Sequence, residues 1–96
     1  MNTANLQLEG LYVAVAALMS ALRQKEMLSE AEIDAALAAA ETALATDRSR
    51  PAELSPANLE AIAFPLRYLR QANRAAAAGE TPSFSELTAR VARQRP

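Results

Sequence analysis

Cysteine and histidine are both absent from this chain of 96 residues. Their absence excludes disulfide bonds, and it excludes a metal site built from thiolate or imidazole ligands. Oxygen ligands alone would suit a hard cation such as Ca²⁺, but the sequence has no D-x-[DN]-x-[DN]-G loop to assemble them. We therefore predict no metal site and no cofactor.

Residues that favour strands and turns are scarce, since the chain has two glycines, three valines and two isoleucines. Alanine, the strongest helix former, supplies twenty-four of the residues. We therefore predict an all-α protein. The alanine content and the excess of arginine over lysine both accompany GC-rich coding, so the arginine count alone does not indicate a function. We expect a bacterial source.

The sequence also lacks a long unbroken apolar run. The longest, LYVAVAALM at residues 11–19, has nine residues, whereas a membrane-spanning helix needs about 20. The N-terminal sequence MNTANLQLEG has no basic residue ahead of that run, so it lacks the basic region of a signal peptide. We expect a cytoplasmic protein with no membrane contact.

The formal net charge is −1, but the charges are unevenly divided. Residues 1–60 carry nine acidic and four basic side chains, whereas residues 61–96 carry two acidic and six basic ones. Such asymmetry can mark a partner-binding tail. We favour the simpler interpretation that the two halves fold against each other with complementary charges.

Helical periodicity and capping signals predict one domain over residues 1–96, a small four-helix bundle made of two antiparallel helical hairpins. The predicted helices cover residues about 6–25, 30–46, 56–78 and 84–94, so the fourth is short. S-x-x-E sequences beginning at Ser29 and Ser83 predict capping boxes for the second and fourth helices. Ser55 is the predicted N-cap of the third helix, and Gly79 is its predicted C′ residue.

The first helix has two faces that could pack. One is a stripe of large side chains at alternating spacings of three and four, formed by Leu8, Leu11, Val15, Leu18 and Leu22, and widened by Tyr12 and Met19. The other is a face of small residues, formed by Gly10, Ala14, Ala17 and Ala21. We predict that the large stripe is buried and that this helix is central in the bundle.

Pro65 lies inside the third predicted helix, where it cannot donate a hydrogen bond to the carbonyl of Ala61. One alternative is that a helix ends near Ala63 and another starts at Pro65, but Phe64 would be a poor N-cap. We predict that the helix continues with a kink at Pro65 and curves around the first helix.

Phe64 and Tyr68 lie one turn apart and off the main apolar seam of the third helix. We favour the interpretation that the fourth helix folds back and covers them, because monomers avoid large exposed apolar patches. In the alternative, they form a contact surface for another protein, since aromatic residues are enriched at interface centres. That candidate protein contact consists of Ala61, Phe64, Tyr68 and Ala72.

Three arginines, Arg67, Arg70 and Arg74, lie beyond the other edge of the same seam. Such a stripe is most often a solvated face, or it pairs with acidic side chains of a neighbouring helix. The second helix offers three of these: Glu30, Asp34 and Glu41. The alternative is a candidate contact for an anion or an acidic partner.

Asn73 continues the leucine seam of the third helix as a polar residue. If the side chain is buried, it needs hydrogen-bond partners such as a hydroxyl or a backbone carbonyl. More often, the alanine-rich end of a helix is loosely covered and the amide reaches water, and this is the interpretation that we favour.

Catalysis is not indicated. The sequence has no histidine, no cysteine, no glycine-rich phosphate loop and no G-x-S-x-G elbow. Glu30 and Asp34 are paired carboxylates, but their position at a helix N-terminus explains them. We therefore predict that the protein is not an enzyme.

Two classes of binding function remain. The favoured one is a non-catalytic helical protein-interaction module, either as a homodimer or with another protein, through the small-residue face of the first helix and through Phe64 and Tyr68. The alternative is nucleic-acid binding by the basic C-terminal half, because residues 67–95 loosely resemble a helix-turn-helix motif. The turn is longer than that motif usually has, and the sequence pI near 5.4 gives little electrostatic attraction for DNA.

Overall fold

The computed structural model describes residues 3–47 and 56–94, and these residues form helices and loops without a strand. The helices are α1 (Thr3–Gln24), α2 (Glu30–Ala45), α3 (Pro56–Ala77) and α4 (Phe84–Arg93). The predicted all-α bundle is confirmed, and the predicted bounds agree closely with these. The predicted N-cap Ser55 lies outside the described residues.

Both predicted capping boxes are present. The Glu32 N–H donates to the Ser29 hydroxyl at 3.0 Å, and the Ser29 N–H donates to the Glu32 carboxylate at 2.8 Å. Ser83 and Glu86 make the same pair of bonds at the start of α4. These bonds satisfy N–H groups that a helix start leaves unpaired, and they lower the pKa of both glutamates.

The predicted end of α3 at Gly79 is also confirmed. Gly79 has a φ of 81°, a left-handed conformation that glycine adopts without a steric penalty. The Glu80 N–H then donates to the carbonyl of Ala75 at 2.9 Å. This turn reverses the chain so that α4 folds back along α3.

The central helix is α3, because it packs against each of the other three helices. The prediction that the first helix is central is therefore wrong. α3 runs without interruption from Pro56 to Ala77 with Pro65 inside it. A helix break near Ala63 is excluded, and the predicted continuation through the proline is confirmed.

The contacts along α3 give the directions of its neighbours. Tyr12 and Arg23 of α1 meet Tyr68 and Asn73, so α1 runs parallel to α3. Asp34 and Glu41 of α2 pair with Arg70 and Arg67, so α2 runs antiparallel to it. The helices α1 and α2 are thus antiparallel, as predicted, but both pack mainly on α3 and only weakly on each other.

The core consists of apolar side chains from all four helices: Met19, Ile33, Tyr68, Leu69, Ala72, Ala75, Leu87 and Val91. α1 reaches this core through Tyr12, Val15, Ala16 and Met19. The predicted stripe is only partly correct: Tyr12, Val15 and Met19 meet the core, but Leu8, Leu11 and Leu18 are 48%, 57% and 66% exposed. The helix is rotated so that Tyr12, and not Leu11, meets the aromatic residues of α3.

Candidate functional site

Phe64 and Tyr68 belong to an aromatic cluster inside the chain. The Tyr68 ring lies 5.1 Å from the ring centroid of Tyr12 and 5.3 Å from that of Phe84. The Phe64 ring stacks on Tyr12 at 6.5 Å. The cluster therefore joins α1, α3 and α4. The aromatic residues of α3 are covered by α1 as well as by α4, the helix that was predicted to cover them.

This packing buries two residues of the candidate protein contact and leaves the other two at least partly exposed. Tyr68 and Ala72 are 3% and 9% exposed and do not form part of the surface. Phe64 is half-buried and Ala61 is exposed. These two residues line a cavity of about 240 Å³ between α3 and α4, together with Val91 and Ala92.

Burial also changes the acidity of the two tyrosines in the cluster. Removal from water raises the pKa of the Tyr12 phenol. It raises the pKa of the Tyr68 phenol too, with a further contribution from the charge of Glu9. Both phenols stay neutral at physiological pH, as a packing role requires, and neither resembles an acid or base prepared for catalysis.

Two of the three predicted arginines are paired with acids of α2. The Arg67 Nε donates to Glu41 at 3.0 Å. Arg70 makes a two-point contact with Asp34, with N–O distances of 2.9 and 3.2 Å. Through this hydrogen bond the pKa of the Asp34 carboxyl is lowered and that of the Arg70 guanidinium is raised. Arg74 is exposed, and its charge contributes to the low pKa of Asp34.

The arginine side chains therefore connect α3 to α2, which is the pairing that the sequence favoured. They also line a polar cavity of about 200 Å³ with Glu41, Gln71 and Gln94. The carboxylate of Glu41 lies in this cavity, so an incoming anion would meet a negative charge as well as positive ones.

Asn73 is buried, with 1% of its surface exposed. Its side-chain oxygen accepts a hydrogen bond from the Arg23 guanidinium of α1. Its amide nitrogen donates to the backbone carbonyl of Glu30 at 3.1 Å. The favoured prediction of a water-exposed amide is therefore wrong, and the carbonyl partner expected for a buried amide is present. Asn73 is a structural junction of three helices.

The outer face of α1, opposite Tyr12, is the most unusual surface of the molecule. Its middle is formed by Gly10, Ala14, Ala17 and Ala21, and its flanks by Leu6, Leu11, Val13 and Leu18. All eight residues are exposed. The two charged residues within Thr3–Gln24 are Glu9 and Arg23, and both lie half-buried on the inner side. The outer face of α1 therefore carries no charge.

An indirect signal of this arrangement is the scarcity of charge in α1. A surface helix normally shows its solvent side by its charged residues, but α1 has only two, and one of them contacts Asn73 inside the protein. With so few charges, periodicity alone does not distinguish an outward leucine from an inward one.

α1 is also long and apolar enough to cross a membrane, by length and composition alone. The core helices of soluble proteins and N-terminal signal sequences meet the same two criteria. In this structure the helix packs with one side on α3, where Arg23 and Tyr12 make side-chain contacts. The unbroken apolar run at residues 11–19 is too short to span a membrane, but the whole helix Thr3–Gln24 meets the length and composition criteria.

The described residues hold no cluster of acidic side chains that could bind a metal ion. Neither the cavity beside Phe64 nor the one lined by Glu41 and the arginines brings together a nucleophile, a base and a polar group that orients the base, the arrangement of nucleophilic catalysis. Among the features that the geometry offers are a large uncharged apolar surface on α1, a groove beside Phe64, and an open cavity of about 320 Å³ where Val13 and Ala17 lie near Phe84. No protein-family model, curated protein or solved structure matches this chain.

Proposed function

We propose that this chain is a non-catalytic helical protein-interaction module whose main contact surface is the outer face of α1. The observation that carries the proposal is the exposure of large apolar side chains, including Leu11 and Leu18, on a helix face without charge. Large apolar patches are rare on monomeric soluble proteins and typically mark interaction sites. Depletion of charge is also what distinguishes the centre of an interface from other surfaces.

The stability of the bundle does not require this face. Tyr12, Val15, Ala16 and Met19 already join α1 to the core, and Arg23 joins it to Asn73. The exposed leucines are therefore available for another molecule without any change in the fold. The groove lined by Ala61 and Phe64 is a smaller candidate contact on a different side of the bundle.

The experiment is a capture assay with the full chain immobilised. The test variant carries Leu11→Glu and Leu18→Glu, which place two charges on the exposed apolar face. The matched control carries Ala35→Glu and Ala39→Glu, which place two charges on exposed positions of α2. Circular dichroism would establish that both variants keep the helical content of the wild type.

We expect the wild type and the α2 control to retain the same specific protein, which is either this chain or another one from the source cell. The α1 variant should retain at least about tenfold less, since buried charges at the centre of an interface cost more than about 1.4 kcal/mol. Equal capture by all three proteins would contradict the proposal.

A further inference from the structure

We infer that the partner of the outer face of α1 is a second copy of this chain, packed antiparallel along the same helix face. This inference rests on the proposed function, and it adds the identity and direction of the partner. The observations that carry it are the exposure of Leu6, Leu11, Val13 and Leu18, the position of Glu9 and Arg23 on the inner side of α1 and not on this face, and the area that the face offers.

The face is complementary to itself in both charge and shape. Because it carries no charge, two copies meet without like-charge repulsion. The small residues in the middle follow spacings of four, three and four, the repeat that keeps one side of a helix against a neighbouring helix. They allow the two backbones to approach closely, while the flanking leucines of each copy cover the other. A two-fold axis places this same face of both copies in the interface.

The length of α1 sets an upper bound on the area of the dimer interface. α1 has 22 residues, so at 1.5 Å per residue it is about 33 Å long, and the outer arc of a helix is roughly 18 Å wide. Full contact over this arc would bury at most roughly 600 Å² per copy, or about 1,200 Å² in total, which is the lower bound of standard protein interfaces. Met27, which is exposed beyond the end of α1, would add to this area.

The antiparallel direction follows from the ends of the helix. Close packing of two antiparallel helices places the positive end of each helix dipole beside the negative end of the other. In the register that pairs Gly10 with Ala21, Leu6 near the start of α1 lies beside Lys25 of the second copy, and exposed Met27 and Leu28 follow just beyond it. With Ala14 and Ala17 at the centre, Gly10 of each copy then faces Ala21 of the other.

The chain has no cysteine, so single cysteines can report which residues meet. The variants are Gly10→Cys and Ala21→Cys, with Ala39→Cys on the exposed face of α2 as the control for random collision. Space exists for the first, because a Cβ atom added at Gly10 has no other atom within 4 Å. Each variant is oxidised alone, and the first two are also oxidised as an equal mixture.

We expect the mixture of the two α1 variants to form at least about tenfold more disulfide-linked dimer than any variant alone, because pairing raises the effective thiol concentration. In the antiparallel dimer the two copies of residue 10 lie about 16 Å apart along the helix axis, beyond the roughly 7 Å between Cα atoms that a disulfide spans. Strong linkage of Gly10→Cys with itself would overturn the antiparallel arrangement.

Sedimentation of the cysteine-free chain over a range of concentrations gives an independent readout. We expect a monomer–dimer equilibrium for the wild type. The variant with Leu11→Glu and Leu18→Glu should have a dimer dissociation constant at least about tenfold higher. A strict monomer would overturn the inference. A monomer that floats with phosphatidylcholine vesicles would also overturn it, and would assign the face to lipid.

The two proposals can fail separately. If the wild type is monomeric but still captures another protein that the α1 variant does not, the second copy is excluded and the proposed function stands. If capture is the same with both proteins, the proposed function fails as well.

Discussion

The guanidinium of Arg23 donates a hydrogen bond to the side-chain oxygen of Asn73, and this contact joins the end of α1 to α3. The same asparagine donates to the backbone carbonyl of Glu30 at the start of α2. Arg23 is further positioned by the Ser20 hydroxyl, which accepts from its second terminal nitrogen at 2.8 Å. One buried amide therefore contacts two other helices at the point where all three meet.

Replacing this amide should destabilise the bundle. Asn73→Ala removes a buried side chain that accepts from the half-buried Arg23 guanidinium and donates to the Glu30 carbonyl. Hydrogen bonds to charged groups contribute about 1.5–3 kcal/mol, and the lost bond to the carbonyl adds to this. We expect the free energy of unfolding in urea to fall by about 2–4 kcal/mol.

Gln71 provides the matched control, because it is also a buried polar residue on α3, with 8% exposure. Its side chain makes no hydrogen bond within the described part of the chain. Gln71→Ala should therefore cost only about 1 kcal/mol, the typical value for a point mutation. Equal losses for the two variants would show that Asn73 contributes by filling space and not by hydrogen bonding.

The Asp34–Arg70 pair predicts a dependence of stability on pH. Its hydrogen bond holds the pKa of Asp34 below the usual range. A carboxyl with a lowered pKa in the folded state stabilises the protein above its unfolded pKa, near 3.9, and this contribution is lost as the pH falls through the folded value. The pair is about one-third exposed, so we expect about 1 kcal/mol at most at pH 7.

The measurement compares wild type and Asp34→Asn in urea at a series of pH values. We expect the wild type to be more stable at pH 7, and the difference to shrink as the pH falls from about 5 through 3.9 and below. A difference that stays constant over this range would mean that Asp34 does not act through its charge.

The pairing of arginines with acids could be predicted because it depends on local rules. Helical spacing placed Arg67 and Arg70 on one edge of α3, and Asp34 and Glu41 on one face of α2. Antiparallel packing of these helices then brought opposite charges together. The capping boxes and the glycine at the end of α3 were predictable for the same reason, since each is a short sequence with one stable geometry.

The rotation of α1 could not be predicted in this way. Both sides of the helix are apolar, so the pattern gave two buried faces and no rule to choose between them. Long-range contacts orient the helix, above all the contacts of the Tyr12 ring with Phe64 and Tyr68. Aromatic rings offer more area than leucines, and this outweighed the longer leucine stripe.

Binding to duplex DNA is the alternative that the basic C-terminal half suggested, and we expect it not to occur. Arg67 and Arg70 already contact carboxylates of α2, and Arg90 donates to Glu80 at 3.2 Å. These contacts leave few cations free to displace counterions from phosphate. A mobility-shift assay at roughly 50 mM salt, where phosphate contacts are strong, should show no complex.

The variant Asp34→Asn with Glu41→Gln is the comparison for that assay. It removes both acids and frees Arg67 and Arg70, so it should bind DNA weakly at the same salt concentration. If the wild type itself gives a complex that dissociates steeply as salt is raised, the helix-turn-helix interpretation of residues 67–95 is supported over the protein-interaction module.

Adjacent residues of α1 should differ sharply in their effect on the stability of the monomer. Tyr12→Ala removes the ring that contacts Phe64, Tyr68 and Phe84. Truncating a large aromatic residue in a core costs about 3–5 kcal/mol, and partial exposure of Tyr12 reduces this to about 2–3 kcal/mol. Leu11→Ala changes a side chain that is 57% exposed, so it should cost less than about 0.5 kcal/mol.

Both variants are unfolded by urea at a protein concentration low enough for the wild type to be monomeric in sedimentation. At higher concentration Leu11→Ala should lose stability relative to the wild type, because only the wild type then gains the full free energy of association. A large effect of Leu11→Ala in the monomer would place the leucine stripe in the core. The outer face of α1 would then be the side that carries Tyr12, and both the interaction surface and the dimer built on it would have to be abandoned.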